Sequence, residues 1–101
     1  MTQAWEQELY LTEDALEKAR KSLEEGLSWQ RSQIDEDPYM AQFPEHVTIQ
    51  DSRLAIRVHE LFIEWLRGRV AAAAPYSLNE SKTAFADCRD RAFEEFPPRS
   101  G

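Results

Sequence analysis

The side chains of this 101-residue chain with the chemistry for catalysis or metal binding are two histidines, one cysteine and 19 carboxylates. The most suggestive arrangement is His59-Glu60-Leu61-Phe62-Ile63-Glu64-Trp65-Leu66, which begins as a zinc-protease helix begins. Such a helix needs two imidazoles four residues apart, so that both leave one face, with the glutamate between them as general base. Ile63 stands where the second ligand belongs, and the other histidine, His46, follows Pro44 in a segment of irregular pattern. Cys88 shares a helical stripe with Phe85 and Ala92, where a thiol is a small buried hydrophobe of ordinary acidity. Glu60 with Glu64 and Glu13 with Glu17 are spaced one turn apart, as an acid and a base would be. Arg57 and Arg67 accompany the first pair at three-residue offsets, so it reads as a solvated ladder of ion pairs. Glycines at positions 26, 68 and 101 make no phosphate loop, and Asp35-Glu36-Asp37 lacks the glycine and terminal glutamate of a calcium loop. The expectation is a protein that is not an enzyme and has no catalytic residue, cofactor or metal ligand.

The elements that position these groups are helices. Trp5, Leu9, Leu16, Ala19, Leu23, Leu27 and Ile34, with Thr12 in step, fall along one line at about 100° per residue and predict an amphipathic helix over residues 3 to 34. Thr12-Glu13-Asp14 resembles a cap followed by a first turn, so a break between Tyr10 and Thr12 is expected. Gly26 is expected to weaken the far end. Two prolines and clustered acids predict an irregular connector at about residues 35–50, whose Tyr39, Met40 and Phe43 either fold back as a lid, the favoured reading, or form a recognition segment. Asp51-Ser52-Arg53 is expected to cap a second helix over about 51 to 73, ended by Pro75, with Ala71 to Ala74 as its close-packing tail. Ser77-Leu78-Asn79-Glu80 fits a capping box for a last helix over about 78 to 96, with a stripe of Leu78, Phe85, Cys88, Ala92 and Phe96, stopped by Pro97-Pro98. Neither a repeat nor an alternating strand pattern occurs. The fold class is all-α, a bundle of three to four helices forming a single helical domain over residues 1–101.

Composition narrows the partners. A 42% apolar content with three tryptophans fills one modest core, and the single cysteine excludes an internal disulfide and suits a reducing cytoplasm. No basic leader or spanning run is visible, so a cytoplasmic protein is expected. Residues 1 to 50 carry eleven acids against four bases and the remainder eight of each, so the whole net charge of -7 lies in the first half. Nucleic acid and anionic membrane are repelled by such a half, whereas a basic protein surface is attracted.

Two surfaces exceed what one small core needs. The second helix carries a wide face of Leu54, Val58, Leu61, Phe62 and Trp65, and well over 100° away a stripe of Ile56, Ile63 and Val70 at seven-residue intervals. That stripe predicts either a central helix sandwiched by its neighbours, which is favoured, or a contact with another chain. On the first helix Glu6, Glu13, Glu17 and Glu24 form an acidic ridge, spaced roughly 10, 6 and 10 Å apart by the helical rise. Together these predict a small protein that binds another macromolecule as inhibitor, adaptor or assembly factor, with stripe and ridge as candidate partner-binding residues. Two alternatives remain. One is an acidic, nucleic-acid-mimicking inhibitor of a larger complex, by analogy of size, charge and helicity with phage counter-defence proteins of the anti-CRISPR type. The other is a structural homodimer closed by the stripe.

Overall fold

Helix-forming periodicity extends over nearly the whole chain, and the computed structural model, which describes residues 3–43 and 45–97, is correspondingly all-helical, with no strand among the described residues. The elements are α1 (Gln3–Glu36), a short 3-10 helix (Pro38–Gln42), α2 (Val47–Ala71) and α3 (Leu78–Glu95). Pro44 of the connector and Pro98 beyond the last helix lie outside the described residues, as does the side chain of Gln3.

α1 runs unbroken. Thr12 does not cap a helix: its Oγ1 donates to the Glu8 carbonyl at 2.8 Å, the back-bond of a mid-helix threonine. At about 1.5 Å per residue its 34 residues span about 51 Å, nearly the full 56 Å length of the molecule. The radius of gyration is 16.9 Å, against about 13 Å for a compact chain of this length. An extended hairpin is the reason. α2 returns antiparallel along α1, placing Glu13 against Arg67, Arg20 against Glu60 and Ser22 against Ser52. α3 folds back along only part of α2, with Arg69 facing Glu80, Phe62 facing Phe85 and Arg57 facing Glu95. Beyond Arg57 the hairpin therefore continues as a two-helix arm, closed at its end by the 3-10 helix.

α2 begins earlier than the Asp51-Ser52-Arg53 signal implies. His46 is the cap, its Nδ1 accepting from the Thr48 amide at 3.2 Å. Ser52 is instead buried inside the helix, its hydroxyl donating to the Thr48 carbonyl at 2.9 Å and reaching Ser22 Oγ at 3.3 Å. Ser77 does cap α3, accepting from the Glu80 amide at 3.2 Å, but the Glu80 carboxylate turns to Arg69 and leaves the box half made. α3 buries Ser81, Ala84, Cys88 and Ala92, while Leu78, Phe85 and Phe96 of the expected stripe are exposed. Small side chains on that face let α3 lie close to the bulkier α2.

The base of the hairpin is held by Trp5, which is fully buried. Its indole N–H donates to the Ala74 carbonyl at 3.0 Å, and its ring meets Trp65 edge-on at 5.3 Å and Tyr76 at 4.7 Å. One turn on, Glu8 accepts from the Tyr76 hydroxyl and, at 2.7 Å, from Ser81 Oγ. Each aromatic pair adds about 0.5–1.5 kcal/mol beyond its area, so α1 fastens both the α2–α3 turn and the start of α3. That turn closes a Schellman motif, with Ala74 N–H on Arg69 O and Ala73 N–H on Val70 O. Ala73 sits at φ 51, the left-handed region that favours glycine. Ala73→Gly is expected to raise stability by about 0.5–1 kcal/mol, read as a higher midpoint in urea at unchanged slope.

Gly26 marks a close approach of α1 and α2. A Cβ there would stand 2.9 Å from Cγ1 of Ile49, which is itself fully buried and has nowhere to go. Glycine thus lets the arm close, and its cost to helix propensity is offset by contact. Propensity alone would have Gly26→Ala stabilise by about 1 kcal/mol, whereas overpacking costs about 1–3 kcal/mol. A net loss of about 1 kcal/mol is expected in chemical denaturation, and a gain would show that the contact is loose.

Candidate functional site

Burial shapes the environment of both Cys88 and His59. Cys88 is buried and burial pushes its thiol up, so it stays protonated at neutral pH. His59 is half-buried in α2, with Nδ1 buried and lacking a hydrogen-bond partner among the described residues, and burial holds its imidazole below the ordinary value. No group of three or more His, Cys, Asp or Glu among the described residues is arranged to hold a metal ion, and no described helix is long and apolar enough to cross a membrane. Glu60 pairs with Arg20 of α1 at 3.5 Å as well as with Arg57, and Arg67 reaches Glu13. The expected ladder along one helix is therefore mostly a set of struts between helices.

Ile56, Ile63 and Val70 do not form a free surface. They share a line on α2 with Ile49, Ser52, Glu60 and Arg67, all of which meet α1. Ile63 is only 5% exposed, while Ile56 and Val70 are half-buried, Val70 against the main core. The stripe is the α1-facing side of a central helix, and the α3-facing side carries Val58, Leu61, Phe62 and Trp65. The acidic ridge is at the surface. Glu6, Glu13, Glu17 and Glu24 are all exposed, with Glu13 reaching Arg67 at 3.5 Å and Glu17 reaching Lys21 at 3.8 Å.

The largest departure from expectation is the end of the arm. Tyr39, Met40 and Phe43 do not fold in as a lid; Tyr39 is 66% and Phe43 48% exposed, and Trp29 and Val47, also of the arm, are 52% and 60% exposed. Their placement is ordered by local bonds. Asp37 accepts from the Tyr39 amide at 3.1 Å, the Met40 amide bonds to Asp37 and the Phe43 amide to Met40. Tyr39 and Phe43 meet edge-on at 5.5 Å, and Trp29 meets the His46 ring at 5.6 Å. Glu45 is clamped by Nε and Nη2 of the Arg53 guanidinium at 3.0 and 2.8 Å, which holds its carboxyl below the usual range and secures the entry to α2. Only Trp29 of this group carried a usable sequence signal, since it falls about 120° from the apolar line of its own helix.

No family model, curated protein or solved structure matches this chain.

The buried imidazole fixes one pH response. Because the folded value of His59 lies below its ordinary 6.5, protonation favours the unfolded chain; its contribution is intact above that pH and is lost as pH falls from there toward the folded value. Glu45 and Glu95, held down by Arg53 and Arg57, lose their contributions only as pH falls below about 4.5, their ordinary value. Urea midpoints should therefore drop as pH falls through about 6.5, and the variant His59→Leu should flatten that drop; a drop that persists in the variant assigns it to another group.

Proposed function

We propose that this chain is a small non-enzymatic protein of the cytoplasm that acts by binding another macromolecule, as an inhibitor, adaptor or assembly factor. The observation that carries this reading is the exposed group of large apolar side chains, Trp29, Tyr39, Met40, Phe43 and Val47, ordered at one end of an elongated molecule. Aromatic and methionine side chains held in place outside a core are what protein interfaces are enriched in. A homodimer closed by Ile56, Ile63 and Val70 is less favoured, because Ile63 is buried and Ile56 and Val70 are partly buried within the chain. Affinity capture from source cells with the intact chain, followed by sedimentation of the purified complex, tests the reading. A partner of fixed stoichiometry supports it, and retention of none at saturating bait rejects it.

A second reading, the acidic inhibitor that occupies the nucleic-acid groove of a basic partner, is favoured by the ridge. Four carboxylates exposed along one line at roughly 10, 6 and 10 Å intervals present a charge row that attracts a basic groove over about 8 Å in physiological salt. Reversing Glu13, Glu17 and Glu24 to lysine should then weaken the captured complex by at least ~10-fold and abolish its competition with nucleic acid. Unchanged affinity and unchanged salt dependence in that variant would exclude the groove-blocking mode and leave the broader reading intact.

A further inference from the structure

The acidity of this protein is more concentrated than a division into halves reveals. Residues 24 to 51, which build the arm end, contain seven acids (Glu24, Glu25, Asp35, Glu36, Asp37, Glu45 and Asp51) and one base, Arg31, so they hold six of the seven net negative charges. The same segment holds the exposed aromatic group. One shallow surface groove combines both properties, bounded by Glu24, Glu25, Ser28, Trp29 and Ser32. Glu25 and Trp29 are four residues apart on α1 and therefore neighbours on its surface.

An aromatic face beside carboxylates is a receptor for a cation. The chain builds that combination once for itself: the Arg69 guanidinium stands over the Trp65 ring at 4.8 Å and reaches Glu80 at 3.8 Å. It is the only cation over a ring among the described residues. At Trp29 the ring and the carboxylates are present, and among the described residues no guanidinium stands over the ring. Resting on the binding reading above, we propose that the arm end is the docking seat for an arginine-rich polypeptide segment, one guanidinium stacking on Trp29 and pairing with Glu25, its neighbours lying against Tyr39 and Phe43. Arginine suits this seat better than lysine because its planar fork stacks and pairs at once. Other occupants are opposed by charge. An anionic membrane and a nucleic acid are repelled by six net negative charges, and so is the arm end of a second copy.

The part of the acidic ridge outside the groove, Glu6, Glu13 and Glu17, provides a control, since on the wheel of α1 these residues lie about 120–160° from Trp29 and at least eight residues before it. Fluorophore-labelled octa-arginine, with octa-lysine and phosphatidylserine vesicles in parallel, is titrated with the full chain and followed by anisotropy at several salt concentrations. Octa-arginine should bind several-fold more tightly than octa-lysine, and Trp29→Ala should weaken it by roughly tenfold. Glu24→Gln with Glu25→Gln should weaken it and reduce its salt dependence, whereas Glu6→Gln with Glu13→Gln and Glu17→Gln should change it less than ~3-fold. Because Trp29, Glu24 and Glu25 are exposed, helical circular dichroism should be unchanged in all these variants. The proposal is overturned by equal affinity in Trp29→Ala, by equal weakening in the ridge variant, by vesicle binding without peptide binding, or by a dimer that Trp29→Ala dissociates. If Trp29→Ala still binds the peptide while the intact chain captures a stoichiometric partner, the seat is wrong and the binding reading stands. If the intact chain captures none, the binding reading falls and takes the seat with it.

Discussion

A helix with large apolar side chains on two sides cannot be left bare on either, and α2 is such a helix. Ile49, Ile56, Ile63 and Val70 follow one line, while Val58, Leu61, Phe62 and Trp65 follow another. Burying a side chain of this kind is worth about 1.5–3 kcal/mol, so each bare stripe would cost more than any surface contact in the molecule returns. The long α1 takes one side and the shorter α3 the other. Small residues on both covering faces, Gly26 on α1 and Ala84, Cys88 and Ala92 on α3, allow the approach. The order of elements, with the most apolar helix second and central, follows from that requirement.

The two ends of the hairpin are then treated differently. At the base, Trp5 and Glu8 bring α1, the α2–α3 turn and α3 into one aromatic and hydrogen-bonded cluster. Ion pairs such as Glu13 with Arg67 and Arg20 with Glu60 align the helices along the way, but they are exposed and contribute about 0–1 kcal/mol each. At the far end α3 is absent, the core thins to two helices, and the connector has no third surface on which to lay Tyr39 and Phe43. Their exposure follows from the length difference between α1 and α3, and it leaves an aromatic group in the most acidic part of the chain.

Much of the architecture was legible in residue spacing. The apolar line of α1, the Ser77 cap of α3 and the two stripes of α2 all come from the 3.6-residue period and from hydroxyl chemistry at helix starts. What misled were residues of the right type in the wrong place. Thr12 and Ser52 have hydroxyls that cap helices, yet both bond backward to a carbonyl of their own helix, because continuous packing on either side keeps the helix from ending there. His46 is a less common cap, and only the position of the Thr48 amide reveals it. Gly26 reads as a weak point until Ile49 is seen against it.

Helicity, and the two faces that α2 has to cover, follow from period and residue type along a single segment. Which stripe meets which neighbour, the burial of Ile63 inside the chain, and the exposure of Trp29, Tyr39 and Phe43 depend on how distant segments pack. Exposure is a relation between segments far apart in the chain. It was settled by where α3 stops along α2, a length that no local pattern in residues 24 to 51 records.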